Sequence, residues 1–326
     1  MKFNKMLMCA DVYTLGVVYR IVTGGIPNIH GSTMREKMDY VENALGDSLK
    51  DFLVRGPADD PAQVAGLITE PTTEEADVGL FWMDSDACAP LCGAGTFAVG
   101  TVLVETGIVD PKLKSEITID TPVGLITVSP KIVNDKVESV TTRMVPSFFY
   151  NHLTVDIPGI GKIPVDISFG GNLFEPIVDS RELGIELTMG NRYKIEGLGL
   201  MIRDMLNEEM SFKHPNFPNE LSINKIKQVQ FYDDKLTSST SNCRCLCIVG
   251  PGVIDLTPSG TSTCAQIATR YATGKLGINE EFVMESIIGT TLKARIAEET
   301  KVGNYNAIIP EITGNCRIVR FSNIIS

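Results

Sequence analysis

Two short segments of this 326-residue chain place a side chain that can carry a proton directly before a run of small residues. Residues 92–107 read CGAGTFAVGTVLVETG and open on Cys92, whereas residues 259–274 read SGTSTCAQIATRYATG and open on Ser259. Small residues at the start of a helix leave backbone N–H groups accessible, and such a helix N-terminus binds an anion, most simply a carboxylate. Each segment therefore predicts an anion-binding loop that carries one nucleophile-type side chain.

The two segments align with each other without a gap and lie about half the chain apart. The aligned identities are Gly93 with Gly260, Thr96 with Thr263, Ala98 with Ala265, Thr106 with Thr273 and Gly107 with Gly274. Coincidence between two Gly-, Ala- and Thr-rich segments is one explanation. An internal duplication explains the match and the length of the chain together, so we expect two related domains.

The position of Cys92 predicts an unusually acidic thiol. A helix N-terminus favours a negative charge, which lowers a cysteine pKa below its usual value of about 8.5 and makes the thiolate a proton acceptor. If a pseudo-twofold axis brought the two helix N-termini together across a cleft, the α-carbon of a bound carboxylate would lie between Cys92 and Ser259. That arrangement suits a racemase or epimerase without a cofactor. The alternative interpretation of Cys92 is a buried structural thiol.

The elements that position these loops are mostly strands. Short runs rich in Val and Ile, separated by Gly, Pro, Asn and Asp, predict strands at 17–22, 65–69, 78–83, 126–129, 245–250 and 306–321. Helical periodicity occurs at 32–54, with Ser32 as the expected N-cap, and after Cys92 and Ser259. The fold class is α/β of the α+β type with mainly antiparallel strands. We expect a first domain of residues 1–128 plus 303–326 and a second of 129–302.

Composition narrows the possible partners. The formal net charge of −11 disfavours nucleic acid and anionic membrane surfaces, and no apolar stretch is long enough for a membrane span or an export signal. Eight cysteines in 326 residues are too few for a disulfide-rich scaffold and fit a reducing cytoplasm. Cys243, Cys245 and Cys247 share one face of a predicted strand, where small buried residues are the favoured interpretation over a metal site.

Other chemistries lack their motifs. The three histidines, His30, His152 and His214, lie in neither a nucleophile elbow nor a metal-ligand spacing, which disfavours a Ser-His-Asp hydrolase. The glycine-containing segment 25–31 lacks the patterns of nucleotide-binding loops. Acidic pairs such as Glu74 and Glu75 lie in polar stretches of sequence, and we expect them on the solvent-exposed surface.

The chain resembles the proline racemase family. APLCGAGTFAVGTVLVETG is similar to the first active-site motif of that family, and IDLTPSGTSTCAQIATRYATGKL to the second. Further similar segments are GGIPNIHGSTMREKMDYV, TIDTPVG, SFGGNLFEPIVD and SIIGTTLKARIAEETKVGNYNAIIPEITG, so the resemblance covers nearly the whole chain.

This resemblance implies the fold of diaminopimelate epimerase, with two pseudo-symmetric domains that each curl a mostly antiparallel sheet around a central helix. It implies a cofactor-independent enzyme, a small amino- or imino-acid substrate and a homodimer. Family members racemise proline, epimerise hydroxyproline at the α-carbon or dehydrate trans-3-hydroxyproline. The catalytic positions are Cys92 and Ser259, and Asp255 corresponds to the acid that pairs with the ring nitrogen of the substrate. The backbone N–H groups that hold the substrate carboxylate belong to Gly93, Ala94, Gly260 and Thr261.

Several positions depart from the family pattern. Ser259 replaces a second cysteine, and a hydroxyl is a much weaker acid and base than a thiol. Ala94 replaces a histidine, Val249 stands at a commonly aromatic position, and Tyr13 departs from an N-terminal motif. The departures suggest a substrate other than proline itself. Racemisation or 2-epimerisation is the favoured reaction, and a trans-3-hydroxy-L-proline dehydratase with Cys92 as single base or an inactive ligand-binding paralogue remain alternatives.

Overall fold

A computed structural model describes residues 6–55, 63–235 and 237–325 of the protein. The helices are α1 (Met34–Tyr40), α2 (Gly46–Leu53), α3 (Gly95–Glu105), α4 (Arg192–Glu209) and α5 (Gly260–Ala272), with a π-helical turn at Val41–Leu45 and 3-10 turns at Ser180–Leu183 and Met189–Asn191. The strands are β1 (Met6–Thr14), β2 (Val17–Gly24), β3 (Val64–Thr69), β4 (Val78–Met83), β5 (Cys88–Ala89), β6 (Ile117–Thr121), β7 (Gly124–Val133), β8 (Lys136–Arg143), β9 (Ser147–Ile157), β10 (Gly161–Phe169), β11 (Phe174–Asp179), β12 (Val229–Asp233), β13 (Cys243–Gly250), β14 (Val253–Asp255), β15 (Phe282–Ser286), β16 (Thr291–Val302), β17 (Tyr305–Gly314) and β18 (Cys316–Ile325).

The chain divides into two compact units. The first contains residues 1–145 and 313–326, and the second contains residues 146–312. Our sequence-based boundaries at 128 and 303 differ from these limits. The first unit reaches residue 145 because β7 and β8 form an antiparallel hairpin, in which Val128 pairs with Thr142.

The first unit is a mixed, mainly antiparallel sheet. β18 pairs with β1 and β1 with β2, both antiparallel; β2 and β3 are parallel, and β3 and β4 are antiparallel. β4 pairs with the short β5 and runs parallel to β6, and β6, β7 and β8 follow as an antiparallel meander. All six residues of β4, VGLFWM, are buried, as expected for a continuous apolar run in a central strand.

The second unit repeats this order of pairing. β9 and β10 are antiparallel, as are β10 and β11; β11 and β12 are parallel, and β12 and β13 are antiparallel. β13 pairs with the short β14 and runs parallel to β15, which pairs antiparallel with β16. The shared order of antiparallel and parallel neighbours supports the internal duplication predicted from the two loop segments.

Each unit places a helix against its sheet at the same point of the topology. α3 follows β5 and packs against β1, β7, β8 and β18, whereas α5 follows β14 and packs against β9, β10 and β16. Both helices end at a glycine with positive φ, Gly107 at 75° and Gly274 at 69°. These glycines follow the C-cap residues and occupy the C′ position, where glycine is favoured. The predicted α/β fold with a central helix in each half is confirmed.

Two details of the sequence analysis need correction. The N-cap of α1 is Thr33 rather than Ser32, because the Thr33 hydroxyl accepts the Glu36 backbone N–H at 3.1 Å. Glu36, three residues after the N-cap, accepts the backbone N–H of Ser32 at 2.7 Å. The apolar run 306–321 is two strands, β17 and β18, separated at Asn315.

Helix α4 was missed by the sequence analysis. Its buried positions are Ile195, Gly199, Ile202 and Leu206, which have the spacing of one helical face. A Cβ at Gly199 would lie 2.9 Å from the Ile248 side chain, so glycine allows the helix to approach β13 closely. None of the described helices has the length and apolarity that a membrane span requires.

Candidate active site

The first loop holds Cys92 immediately before α3. Cys92 is partly exposed between two buried residues, Leu91 and Gly93, and two residues separate it from the first residue of the helix. The backbone N–H of Thr96 donates to the carbonyl oxygens of Cys92 and Gly93, each at 3.2 Å. The Thr96 hydroxyl donates to the Gly93 carbonyl at 2.7 Å. These bonds fix the loop so that its thiol lies at the helix N-terminus.

Apolar packing supports this first loop. A Cβ at Gly95 would lie 2.3 Å from the ring of Trp82, which is fully buried on β4. The first helical residue therefore has to be glycine, because only a residue without a side chain lets α3 begin this close to the sheet. Residues 97–99 and 102–103 of α3 are also buried and apolar. The N-cap residue, Ala94, is 2% exposed and makes no side-chain cap bond.

The second loop holds Ser259 as the N-cap residue of α5. Ser259 is 5% exposed and has φ 50° and ψ 110°, a conformation that costs a non-glycine residue about 1–3 kcal/mol. Its backbone N–H donates to the Thr257 hydroxyl at 3.0 Å, and its carbonyl accepts the Thr263 N–H at 2.8 Å. The Thr263 hydroxyl donates to the Pro258 carbonyl at 3.0 Å. The surrounding bonds hold the serine in its strained geometry.

Asp255, the last residue of β14, lies beside Ser259. Its carboxylate accepts the Thr257 backbone N–H at 2.8 Å. Burial raises the pKa of the Asp255 carboxyl above its usual value, against hydrogen bonds from Thr257 and the Ser259 hydroxyl, which lower it. The second loop therefore brings a hydroxyl and a carboxyl group together, whereas the first loop carries a thiol.

Behind the second loop lies a polar cluster that the sequence analysis missed. Glu175 on β11 is 1% exposed and accepts a hydrogen bond from the Ser262 hydroxyl in the first turn of α5. The Gln228 amide donates to both, at 2.9 Å to Glu175 and 2.9 Å to Ser262, and the Cys247 thiol donates to Ser262 at 3.2 Å. A signal was present, because Glu175 is the one charged residue within the apolar run NLFEPIV.

The remaining sequence-predicted residues fall into these two loops. Gly93 and Ala94 are buried next to Cys92, and Gly260 and Thr261 are buried next to Ser259. Cys243, Cys245 and Cys247 are buried on β13, and the described residues contain no group of His, Cys, Asp and Glu that could hold a metal ion. The favoured interpretation of the three cysteines as buried strand residues is confirmed.

The departures from the family pattern have clear places in the structure. Tyr13 is exposed on β1, with the Arg317 guanidinium 5.6 Å from its ring centre. Val249 is partly exposed at an irregularity in the pairing of β13 with β14. Their contact with a substrate stays a prediction.

Solved structures identify the class of fold. The protein superposes with a TM-score of 0.91 on a hydroxyproline epimerase from Agrobacterium vitis with bound trans-4-hydroxy-L-proline, at 26% identity over 100% of this chain and 94% of that chain. It superposes with a TM-score of 0.58 on a PhzF-family protein from Bacillus anthracis at 12% identity, which shows the fold alone. These neighbours share the diaminopimelate-epimerase-like fold, so the predicted fold class is confirmed.

Sequence comparison then gives the family. A family model described as proline racemase matches residues 9–325. The chain is 36% identical to a proline racemase of Clostridioides difficile, over 100% of this chain and 96% of that protein. It is 34% identical to a 4-hydroxyproline 2-epimerase of Streptosporangium roseum, over 96% of this chain and 93% of that protein. The protein belongs to the proline racemase family, as the resemblance indicated.

Proposed function

We propose that the protein is a racemase or 2-epimerase that acts without a cofactor on a proline- or hydroxyproline-like amino acid. The observation that carries this proposal is the repeated loop and helix, in which Cys92 and Ser259 each stand at a helix N-terminus. Relatives named proline racemase and 4-hydroxyproline 2-epimerase match nearly the whole chain, which supports the same substrate class.

The helix N-termini supply the binding groups in this proposal. The backbone N–H groups of Gly93, Ala94, Gly260 and Thr261 bind the substrate carboxylate. Helix N-termini favour such an anion, and the charge that develops at the carboxylate when the α-proton leaves is stabilised by the same donors. Asp255 pairs with the ring nitrogen of the substrate, which is cationic at neutral pH. Burial raises the pKa of the Asp255 carboxyl, and the ring cation favours the carboxylate form.

The chemistry requires one proton acceptor and one proton donor. The Cys92 thiolate takes the α-proton: the Cα–H bond breaks, an S–H bond forms, and the electron pair passes into the carboxylate group. The Ser259 hydroxyl then gives a proton to the opposite side of the α-carbon, which inverts its configuration. The hydroxyl recovers its proton from water, so no serine alkoxide has to persist.

A dehydratase is the second candidate, and the identity of Ser259 favours it. A hydroxyl is a weak acid, so Cys92 would act alone on trans-3-hydroxy-L-proline. The thiolate would take the α-proton and the 3-hydroxyl group would leave with the electron pair, as hydroxide that a proton converts to water. Ser259 would then contribute only to the shape of the site.

Proton NMR in D₂O distinguishes the candidates. The purified protein is incubated separately with L-proline, trans-4-hydroxy-L-proline and trans-3-hydroxy-L-proline, and the Cα–H signal is followed. We expect loss of that signal with appearance of the opposite α-epimer for one of the first two compounds. An unsaturated ring product from the third compound would establish the dehydratase. Absence of exchange with all three would contradict both activities and favour a ligand-binding paralogue.

Two cysteine variants provide the matched control. Cys92→Ala removes the proposed base, and we expect it to abolish exchange. Cys88→Ala removes another thiol from the same unit, where burial raises the pKa of Cys88 far above the usual thiol value. We expect exchange to persist in this variant. Loss of exchange in both variants would indicate damage to the fold and not the loss of a base.

Two further features follow from the family resemblance and the composition. We propose a homodimer, which native mass spectrometry tests directly. We also propose a cytoplasmic location, which fits the dilute cysteines of the chain. Fractionation of cells that produce the tagged protein tests the location.

A further inference from the structure

Glu175 links β11 to the first turn of α5. Its carboxyl oxygen Oε1 accepts hydrogen bonds from the Ser262 hydroxyl and, at 2.9 Å, from the Gln228 amide. Ser262 lies three residues after Ser259 and carries one of the first backbone N–H groups of the helix. A change at Glu175 is therefore transmitted to the part of the second loop that is proposed to bind the substrate carboxylate.

The groups described next to Glu175 carry no positive charge. In the described part of the chain no ion pair includes this residue, which is 1% exposed. The groups that face it are Ser168 on β10, Gln228 before β12, Cys247 on β13, Asp255 on β14, and Ser262 and Cys264 on α5. Each of these side chains is neutral or acidic, and a buried carboxylate without a cation is costly.

A second buried glutamate in the same unit shows the opposite design. Glu285 on β15 is 2% exposed and lies next to the Arg244 guanidinium, with further hydrogen bonds from Ser238 and Ser241. Burial raises its pKa, but these bonds outweigh burial and lower the pKa to about 2. Burial instead dominates at Glu175, where the charge of Asp255 adds to it, and the pKa is raised to about 8.

We propose that Glu175, as an uncharged carboxylic acid, is a positioning residue for the second loop that fixes Ser262 and keeps negative charge away from the N-terminus of α5. In this state the helix N-terminus retains its attraction for an anionic ligand. Ionisation of Glu175 places a negative charge beside the same helix turn, where it competes with the substrate carboxylate. The inference rests on the proposed function for its ligand.

The dependence of KM on pH tests this role. With the substrate identified by NMR, kcat and KM are measured from pH 6 to pH 9.5 for the natural protein, Glu175→Gln and Glu285→Gln. If only the uncharged form binds well, we expect KM of the natural protein to rise about tenfold between pH 7 and pH 9. Glu175→Gln keeps the size of the side chain and cannot ionise, so its KM should stay flat. Glu285→Gln should retain the rise.

Three outcomes would overturn the proposal. A rise in KM that persists in Glu175→Gln shows that another group titrates. A flat profile for the natural protein shows that ionisation of Glu175 does not reach the ligand. Loss of the rise in both variants shows a general effect of buried-glutamate substitution. A purely structural role for Glu175 would lower stability without changing the pH profile of KM.

A measurement on the natural protein covers the case in which Glu175→Gln does not fold or turnover is not found. Carbon NMR of protein labelled with ¹³C at the glutamate carboxyl groups reports the protonation of Glu175. We expect a resonance that titrates near pH 8, and an ordinary glutamate titration for every resonance would refute an uncharged Glu175. If this resonance is found but no compound is turned over, the proposed function fails and the protonation state of Glu175 stands.

Discussion

The two loop-and-helix segments have the same place in the topology but rest on different supports. The start of α3 lies against the Trp82 ring, and its buried positions are mainly apolar. The start of α5 lies on a hydrogen-bonded cluster of Glu175, Gln228 and Ser262. The two halves share their topology, whereas the side chains packed against the two helix N-termini differ in polarity.

This difference matches the side chains that the loops present. Cys92 is a thiol, and a helix N-terminus favours the thiolate form of a cysteine. Ser259 is a hydroxyl, which needs a neighbouring group to exchange a proton, and Asp255 lies beside it. A second acid, Glu175, lies close enough to Asp255 for the two charges to interact, and this interaction raises the pKa of Glu175. The loop that carries Cys92 therefore packs on apolar side chains, whereas the loop that carries Ser259 packs on hydrogen-bonded polar ones.

Removal of the two proposed catalytic side chains should have unequal effects, and this is the largest difference that we expect. Cys92→Ala should lower α-deuteration of an L-substrate by at least about a thousandfold, because it removes the base that starts the reaction. Ser259→Ala should lower formation of the opposite epimer by about a hundredfold while α-deuteration remains measurable. Proton NMR in D₂O measures both rates. Equal loss of exchange in the two variants would contradict separate roles for the two residues.

The pH dependence of stability should differ between the two buried glutamates. Glu175 has a folded pKa of about 8 against about 4.3 in the unfolded chain, so the folded state binds the additional proton in between. The free energy of unfolding should therefore fall as pH rises from about 4.3 to 8, by at most about 1.4 kcal/mol per pH unit. Urea unfolding of the natural protein and Glu175→Gln measures this slope, which the variant should lack. Parallel curves between pH 5 and pH 8 would contradict it.

Glu285 should show the opposite sign. Its folded pKa is lowered to about 2, so its stabilising contribution is complete above about pH 4.3 and is lost as pH falls toward 2. Glu285→Gln should remove this acid-side loss and leave the slope between pH 5 and 8 unchanged. Urea unfolding of both variants as a function of pH thus compares the two glutamates directly.

The sequence predicted the repeated segments but not what lies under them. The alignment of residues 92–107 with 259–274 placed both helices and their terminal glycines, because those features depend on local spacing. The run NLFEPIV marks Glu175, but its partners Gln228 and Ser262 come from distant parts of the chain, and no local pattern predicts that they meet. The same limit explains the boundary at residue 145, because the β7–β8 hairpin belongs to the first unit through its pairing.

The apolar support of the first loop is tested by filling its closest approach. In Gly95→Ala the new Cβ would lie 2.3 Å from the ring of Trp82, which is fully buried. We expect a loss of about 3 kcal/mol in the free energy of unfolding, together with reduced activity, since the loop that carries Cys92 has to shift. Urea unfolding and the NMR assay measure the two effects. Unchanged activity in a destabilised variant would show that Cys92 is positioned independently of this contact.

The smallest expected difference lies at the other end of the two helices. Gly107 and Gly274 both have positive φ, and a Cβ at either position would meet no atom within 4 Å. Gly107→Ala and Gly274→Ala should each cost about 1 kcal/mol, because only the backbone conformation is strained. Urea unfolding of both variants should give equal losses. A much larger loss at one glycine would mean that the packing of α3 and α5 differs along their whole length. Equal losses would mean that it differs only at their N-terminal ends, which carry Cys92 and Ser259.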